Sequence, residues 1–151
     1  MKLAVAFVGA FLALAVSGPN VFKPNTPLSR EQLAEIAVPN WLALPSTPFI
    51  SSIEHTGEAG MEASFGTIAY VLPSDGSSEV TWFKEHLKAD GYTIEDRTAA
   101  IDNFIGADTV ISASQQATGR RVILVRTNTL DGADLRVVFE DPQAGAQVSE
   151  L

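Results

Sequence analysis

The hydrophobic pattern of the chain begins with an unbroken apolar run. The fourteen residues Leu3–Val16 follow Lys2 and carry no charged or polar side chain, and the small residues Ser17 and Gly18 come next. A basic start, an apolar stretch and small residues at its end are typical of a secretory signal peptide. Since a membrane-spanning helix needs about 20 apolar residues, the pattern predicts a cleaved signal over residues 1–17. An uncleaved anchor is the alternative.

Prolines set the character of the next segment. Gly18–Leu28 contains three prolines and is predicted to be an extended linker, because proline fixes φ and lacks a backbone donor. A short helix is predicted over Arg30–Val38, between a capping Ser29 and a stop at Pro39. Asn40–Phe49 is predicted to be an extended arm that lays apolar side chains over a core. The alternative for this arm is an exposed patch for a partner.

Alternating and β-branched segments predict the strands of a sheet. Their bounds are Phe49–His55, Glu62–Leu72, Tyr92–Arg97, Thr109–Ser114, Arg121–Asn128 and Asp134–Glu140. A loop with two glycines, residues 56–60, joins the first two strands. The Asp131-Gly132 pair is a hairpin signal before the last strand. Residues 99–107 are predicted to be a loop or a single helical turn.

The clearest helical pattern covers Ser78–Asp90, with Ser77 as the predicted N-cap. Val80, Phe83 and Leu87 follow the i, i+3, i+7 spacing of one helix face. An acidic residue in the first turn and lysines in later turns agree with the helix dipole. The pattern predicts an amphipathic helix whose apolar stripe packs against the sheet.

The end of this helix is predicted to be a Schellman motif. Gly91 stands just past the helix, where a left-handed conformation suits glycine. Leu87 and Tyr92 then occupy the two positions whose side chains touch in that motif. The segment is therefore expected to turn at Gly91 and to start the next strand with Tyr92 closed over Leu87.

These elements together predict an α+β fold. We expect a single, mostly antiparallel sheet of five to six strands with one main helix packed on one face, plus the short N-terminal helix. The strand–helix–strand unit Thr67–Arg97 makes its two strands parallel if they are adjacent, with a right-handed crossover. The domain is predicted to span residues 29–141, and residues 142–151 are predicted to be a flexible tail.

Composition excludes several classes of function. The chain has no cysteine, which rules out disulfides, thiol chemistry and cysteine-based zinc sites. Ten basic side chains stand against 18 acidic ones, for a formal net charge of −8. Nucleic-acid binding depends on lysine and arginine neutralising phosphates. The charge balance therefore argues against a nucleic-acid partner, and equally against adhesion to an anionic membrane surface.

The helix and the strand after it carry the signature Trp82-Phe83-xxx-Leu87-xxx-Gly91-Tyr92. It resembles a family of small exported bacterial α+β domains of unknown function, many of them lipoproteins, in which the helix reads aromatic-Tyr-xxx-Leu-xxx-Gly-Trp. The likeness covers roughly residues 45–141. This chain departs from it at Phe83 and Tyr92 and by lacking a cysteine that accepts lipid. The resemblance implies an envelope location and an α+β sheet, and it implies no catalytic residue.

No residue pattern predicts catalysis or a metal site. His55 has Glu54 and Glu58 nearby, but a strand points Glu54 and His55 to opposite faces, and zinc needs three or four converging ligands. His86 lies beside the helix stripe with no nucleophile paired to it by sequence. Ser112 lies on a predicted strand and not on a G-x-S-x-G elbow. We therefore expect no enzyme activity, no metal and no cofactor.

Two groups of residues are candidates for binding. The aromatic side chains of Trp82, Phe83 and Tyr92 would line a pocket between helix and sheet. Arg126 and Arg136 are candidates to meet across the last hairpin on one face, where they would form a basic spot for an anionic ligand or an acidic segment of a partner. The favoured interpretation of these arginines is ordinary surface ion pairing with nearby carboxylates, which contributes little to stability.

The sequence thus predicts an exported protein, periplasmic or secreted, that is not an enzyme. The favoured function is a protein-binding module of the cell envelope, because edge strands and the arm at residues 40–49 offer surfaces for a partner. The alternative is a carrier of a small ligand or lipid in a pocket between helix and sheet. No stable membrane span is expected once the signal has been removed.

Overall fold

A computed structural model describes residues 38–45, 50–55, 63–100 and 106–144, which form a six-stranded antiparallel sheet and one α-helix. The strands are β1 (Ile50–His55), β2 (Phe65–Leu72), β3 (Thr93–Asp96), β4 (Thr109–Ser114), β5 (Arg121–Thr129) and β6 (Gly132–Glu140). The helix, α1, spans Ser77–Ala89, and a single 3-10 turn spans Thr98–Ala100. The predicted antiparallel sheet with one main helix is confirmed.

The strand order across the sheet is β1-β2-β6-β5-β4-β3. β1 and β2 form one edge, and α1 then carries the chain across to the opposite edge, where β3 begins. β4, β5 and β6 return step by step until β6 pairs with β2. Three strands separate β2 from β3, so the parallel neighbours considered for Thr67–Arg97 do not form. Every pairing between the described strands is antiparallel.

The hydrophobic core lies between α1 and one face of the sheet. Successive side chains of a strand point to opposite faces, and in β2 the buried side chains are those of Ile68, Tyr70 and Leu72. The helix contributes the predicted stripe, in which each side chain is less than a tenth exposed. Its members are Val80, Phe83 and Leu87. The long apolar stripe of α1 therefore holds the helix flat against the sheet.

The start of α1 differs from the prediction. Ser77 is the first helical residue and not the cap; Gly76 is the cap, in a left-handed conformation with φ +71° and no capping side chain. The Asp75 carboxylate accepts the Ser77 N–H at 3.0 Å and the Ser77 hydroxyl at 2.7 Å. These hydrogen bonds hold the pKa of Asp75 below its ordinary value. Asp75 thus satisfies a backbone donor that the helix itself leaves free.

The predicted Schellman motif at the end of α1 is confirmed. The Tyr92 N–H donates to the Leu87 carbonyl at 2.9 Å, and the Gly91 N–H donates to the Lys88 carbonyl at 3.1 Å. Gly91 has φ +84°, and both Leu87 and Tyr92 are buried. The motif fixes the direction in which β3 leaves the helix.

Replacing Gly91 by valine is expected to lower the free energy of unfolding by more than about 1 kcal/mol. A methyl group at this position has open space, with the amide of Gln115 nearest at 3.9 Å, so the loss comes from the backbone, because a β-branched residue resists positive φ. Denaturant titration measures it. Ala89→Val, an exposed β-branched control in the last helical turn, should cost less than about 0.7 kcal/mol. Equal losses would contradict the motif's role.

The described part of the arm, residues 40–45, covers the core as predicted. Leu42 is 1% exposed, and Trp41 and Leu44 pack against the core cluster. The segment is not extended at its start, because the Leu42 N–H donates to the Pro39 carbonyl at 3.1 Å and closes a turn. The arm therefore begins by bending over the sheet.

A hydrogen-bonded turn follows β6. The Gln143 N–H donates to the Asp141 carboxylate at 3.0 Å, and the Ala144 N–H donates to the Asp141 carbonyl at 3.3 Å. The predicted tail thus starts with a turn built on Asp141, a residue that is only 3% exposed.

Several predictions concern segments outside the described residues. They are the signal at 1–17, the linker at 18–28, the short helix at 30–38 apart from Val38, the arm at 46–49, the loop at 56–60, the loop or helical turn at 101–105 and the chain beyond 144. Among the described residues, no helix is long and apolar enough to cross a bilayer.

Candidate functional site

An open groove of about 660 Å³ lies between α1 and β3. Side chains three or four positions apart share one flank of a helix, and this flank of α1 forms one wall of the groove. The edge strand forms the other wall. The residues that line the groove are Thr81, Lys84, Glu85, Lys88, Tyr92, Thr93, Ile94, Asp96 and Ile111.

The floor of the groove is apolar. Ile111 is 1% exposed and Tyr92 is 5% exposed, while Ile94 is half-buried against the core cluster. Burial raises the pKa of Tyr92 to about 12, although the nearby Arg120 guanidinium acts in the opposite direction. Tyr92 therefore remains a neutral side chain at any physiological pH.

Charged side chains form the rim. Lys84 and Lys88 stand one helical turn apart and are exposed, and neither forms an ion pair with a carboxylate of the described residues. Asp96 accepts the Thr98 N–H at 2.9 Å. Hydrogen bonding to Thr98, with a smaller contribution from Lys84, holds the pKa of Asp96 below its ordinary value. The Asp96 carboxylate is thus held by Thr98, and the helix side of the rim carries the two ammonium groups and one further carboxylate, that of Glu85.

Two residues of β3 point their backbone N–H and C=O groups away from β4, towards the outer side of the strand. In antiparallel pairs, residues exchange N–H and C=O bonds at every second position. The Arg97 N–H donates to the Val110 carbonyl at 2.8 Å and continues the β3–β4 register, so Thr93 and Arg97 direct their backbone groups towards β4. The intervening Ile94 and Asp96 direct theirs away from it. Among the described strands, β3 has β4 as its one neighbour.

The three aromatic candidates occupy different environments. Tyr92 lies in the floor of the groove. Phe83 is 1% exposed and meets Tyr70 edge-on with 6.3 Å between ring centroids, so its ring fills the space between helix and sheet. Trp82 stacks on His86 at 3.7 Å between centroids, outside the residues that line the groove. The structure does not bring the three rings together around one pocket.

The expectation that Arg126 and Arg136 meet on one face is wrong. In the β5–β6 register, Arg126 stands opposite Leu135 and Arg136 stands opposite Val125. Neighbouring positions of a strand face opposite sides, so Arg126 shares the core face with Leu135 while Arg136 lies on the other face. The Arg126 guanidinium donates to the Asp75 carbonyl at 3.1 Å. The two arginines therefore form no common basic spot.

The histidines show no metal-binding arrangement. His86 Nδ1 lies 2.9 Å from the Trp82 carbonyl oxygen within the same helix, and His55 lies on β1. In the described part of the chain, no group of three histidine, aspartate or glutamate side chains is placed to hold a metal ion.

An ion pair between the buried Asp141 and the partly exposed Arg120 lies near the groove, and no local sequence pattern predicted it. Arg120 Nε donates to the Asp141 carboxylate at 2.9 Å, and the Arg120 guanidinium lies 4.9 Å from the ring centre of Trp41. Trp41 in turn meets Phe139 edge-on at 6.2 Å between centroids. The partners are far apart in sequence, and the only local signal was a cluster of arginines around β5. Both charges of this pair act on the pKa of Tyr92 in the floor of the groove, so the cluster lies beside the groove and ties the start of β5 to the end of β6.

Comparison of the chain with models of known protein families, with curated proteins and with solved structures gives no match. The family resemblance inferred from the helix signature therefore stays a prediction. The function has to be argued from the groove itself.

Proposed function

We propose that this protein is an exported, non-catalytic module of the cell envelope that binds another protein in the groove between α1 and β3. The observation that carries the proposal is the combination, in one surface feature, of an apolar floor, two lysines and a strand edge, where neither the lysines nor the edge has an ion-pair or strand partner among the described residues. Edge strands with a neighbouring groove are a common way to bind extended protein segments.

The shape of the site supports a protein partner over an enclosed small ligand. The groove is open to solvent, and Phe83 and Leu87 occupy the interface between helix and sheet. A carrier of a small ligand usually encloses most of its cargo in a concave pocket. The open groove suits a longer ligand that lies along β3.

Export is part of the proposal and rests on the apolar run Leu3–Val16 after Lys2. The absence of cysteine agrees with a domain that depends on apolar burial instead of disulfides.

Site-specific photo-crosslinking in the native envelope tests the function. A photoreactive amino acid at Thr93, on the wall of the groove, should give a defined adduct with one partner. The same probe at Leu130, an exposed residue at the β5–β6 turn, should not give that adduct. Lys84→Glu with Lys88→Glu should remove the adduct while the melting temperature stays unchanged. No adduct at Thr93, or the same adduct at both positions, would overturn the proposal.

A further inference from the structure

We infer that the occupant of the groove is an extended, acidic segment of another protein, which adds to the sheet as a seventh strand beside β3. The inference rests on the proposed function and names the chemistry of the partner at the same site. It combines the outward backbone groups of β3 with the charge of the helix flank above them.

The backbone of β3 offers a template for strand addition. Ile94 and Asp96 direct their N–H and C=O groups to the outer side, and residues two apart in a strand are separated by about 7 Å. That is the spacing at which a neighbouring extended chain presents its own matching groups. An added strand can therefore form up to four main-chain hydrogen bonds without any change in β3.

The positions of the same two side chains determine which side chains of the added strand enter the groove. Ile94 and Asp96 line the groove, so alternate side chains of the added strand enter the groove beside them. There they meet the apolar floor and the ammonium groups of Lys84 and Lys88. Carboxylates at alternate positions satisfy these lysines, since charge-assisted hydrogen bonds are stronger than neutral ones. The side chains on the opposite face of the added segment do not enter the groove, so the groove does not restrict their chemistry.

A second copy of the chain fits this edge poorly. An antiparallel pair that uses both outward-facing residues of each copy sets Ile94 opposite Asp96 of the second copy. Glu95 then stands directly opposite Glu95 of the second copy, and like charges in that position destabilise a strand pair. The charges thus favour a different protein as the occupant.

Titration of the isotope-labelled protein with a capped heptapeptide of alternating valine and glutamate tests the inference. The amide resonances of Ile94 and Asp96 should shift, whereas those of β1 should not. N-methylation of the central amides should weaken binding at least tenfold, because it removes the main-chain donors. A peptide in which lysine replaces glutamate should bind at least tenfold more weakly than the acidic one.

Exchange of charges gives the decisive control. Lys84→Glu with Lys88→Glu should reverse the preference, so that the lysine peptide binds more tightly than the glutamate peptide. Arg136→Glu, on the other face of the sheet, should leave the preference unchanged. Absence of binding by the glutamate peptide at millimolar concentration, or equal binding of the N-methylated peptide, would overturn strand addition by an acidic segment. The crosslink at Thr93 in the protein with both lysines intact tests the proposed function separately, since the appearance of that adduct requires no particular chemistry of the partner.

Discussion

Gly132→Ala should destabilise the protein by at least about 3 kcal/mol, a loss that places it among the most damaging single substitutions. Gly132 has φ +151°, a conformation that L side chains rarely adopt. A methyl group there would overlap the carbonyl oxygen of Leu72 and lie 3.0 Å from its carbonyl carbon. Because the obstacle is backbone, no rotation of a side chain relieves it. The strands themselves have to move.

The position of Gly132 explains why this movement is costly. Gly132 pairs with Thr129 at the close of the β5–β6 hairpin, and the next residue, Ala133, pairs with Leu72 of β2. A shift at Gly132 therefore disturbs the pairing of β6 with β5 and the pairing of β6 with β2 at the same time. Urea titration measures the loss.

Gly106→Ala is the matched control for this prediction. Gly106 also has a positive φ, +67°, but a methyl group there meets no atom of the described residues within 4 Å. Its expected cost is the conformational penalty of about 1–2 kcal/mol alone. If both substitutions cost the same, the close approach of β6 to β2 does not constrain the fold.

Local features of the fold were predictable because each depends on residues close together in sequence. The helix, its apolar stripe and the Schellman motif all follow from spacings within residues 77–92. β4 was predicted with its observed bounds, Thr109–Ser114. Asp131-Gly132 indicated the last hairpin, although the observed strands extend further towards the turn than predicted.

Strand order and register were not predictable, because they depend on contacts between distant segments. The insertion of β6 between β2 and β5 leaves no local pattern in the sequence. The same limitation produced the error over Arg126 and Arg136: the hairpin brings them near each other, but a one-residue difference in register decides which face each occupies. The N-cap error at Ser77 has a local cause, since the Asp75 carboxylate accepts both the N–H and the hydroxyl of Ser77, which makes Ser77 the first helical residue.

The candidate site was predictable only in part. Tyr92 was singled out and does lie in the groove. Lys84 and Lys88 were noted for the helix dipole, yet their role in the groove depends on β3 lying along that flank of α1. The edge position of β3 follows from the strand order, which the sequence does not reveal. The groove therefore emerges from topology, and its chemistry from two lysines one helical turn apart.

Asp141→Asn is expected to lower the free energy of unfolding by about 1.5–3 kcal/mol. Asp141 is 3% exposed, and its carboxylate accepts from Arg120 at 2.9 Å and from the Gln143 N–H at 3.0 Å. Asparagine removes the charge that pairs with Arg120, whose side chain is 27% exposed, and it weakens the hydrogen bonds to a buried acceptor. The Asp141 N–H also donates to the Ser64 carbonyl at 2.7 Å. The residue thus ties the end of β6 to the segment before β2.

A double-mutant cycle separates the ion pair from the rest of this cluster. Arg120→Met retains an apolar stem beside Trp41 but removes the charge, so adding Asp141→Asn to it should cost less than the same change in the native chain. Arg121→Met is the surface control, because Arg121 lies 3.8 Å from the partly exposed Glu140, and it should cost less than about 1 kcal/mol. Additive losses in the cycle would show that Asp141 acts through its turn and backbone contacts. A loss for Asp141→Asn as small as that of Arg121→Met would contradict a buried tie at this end of the sheet.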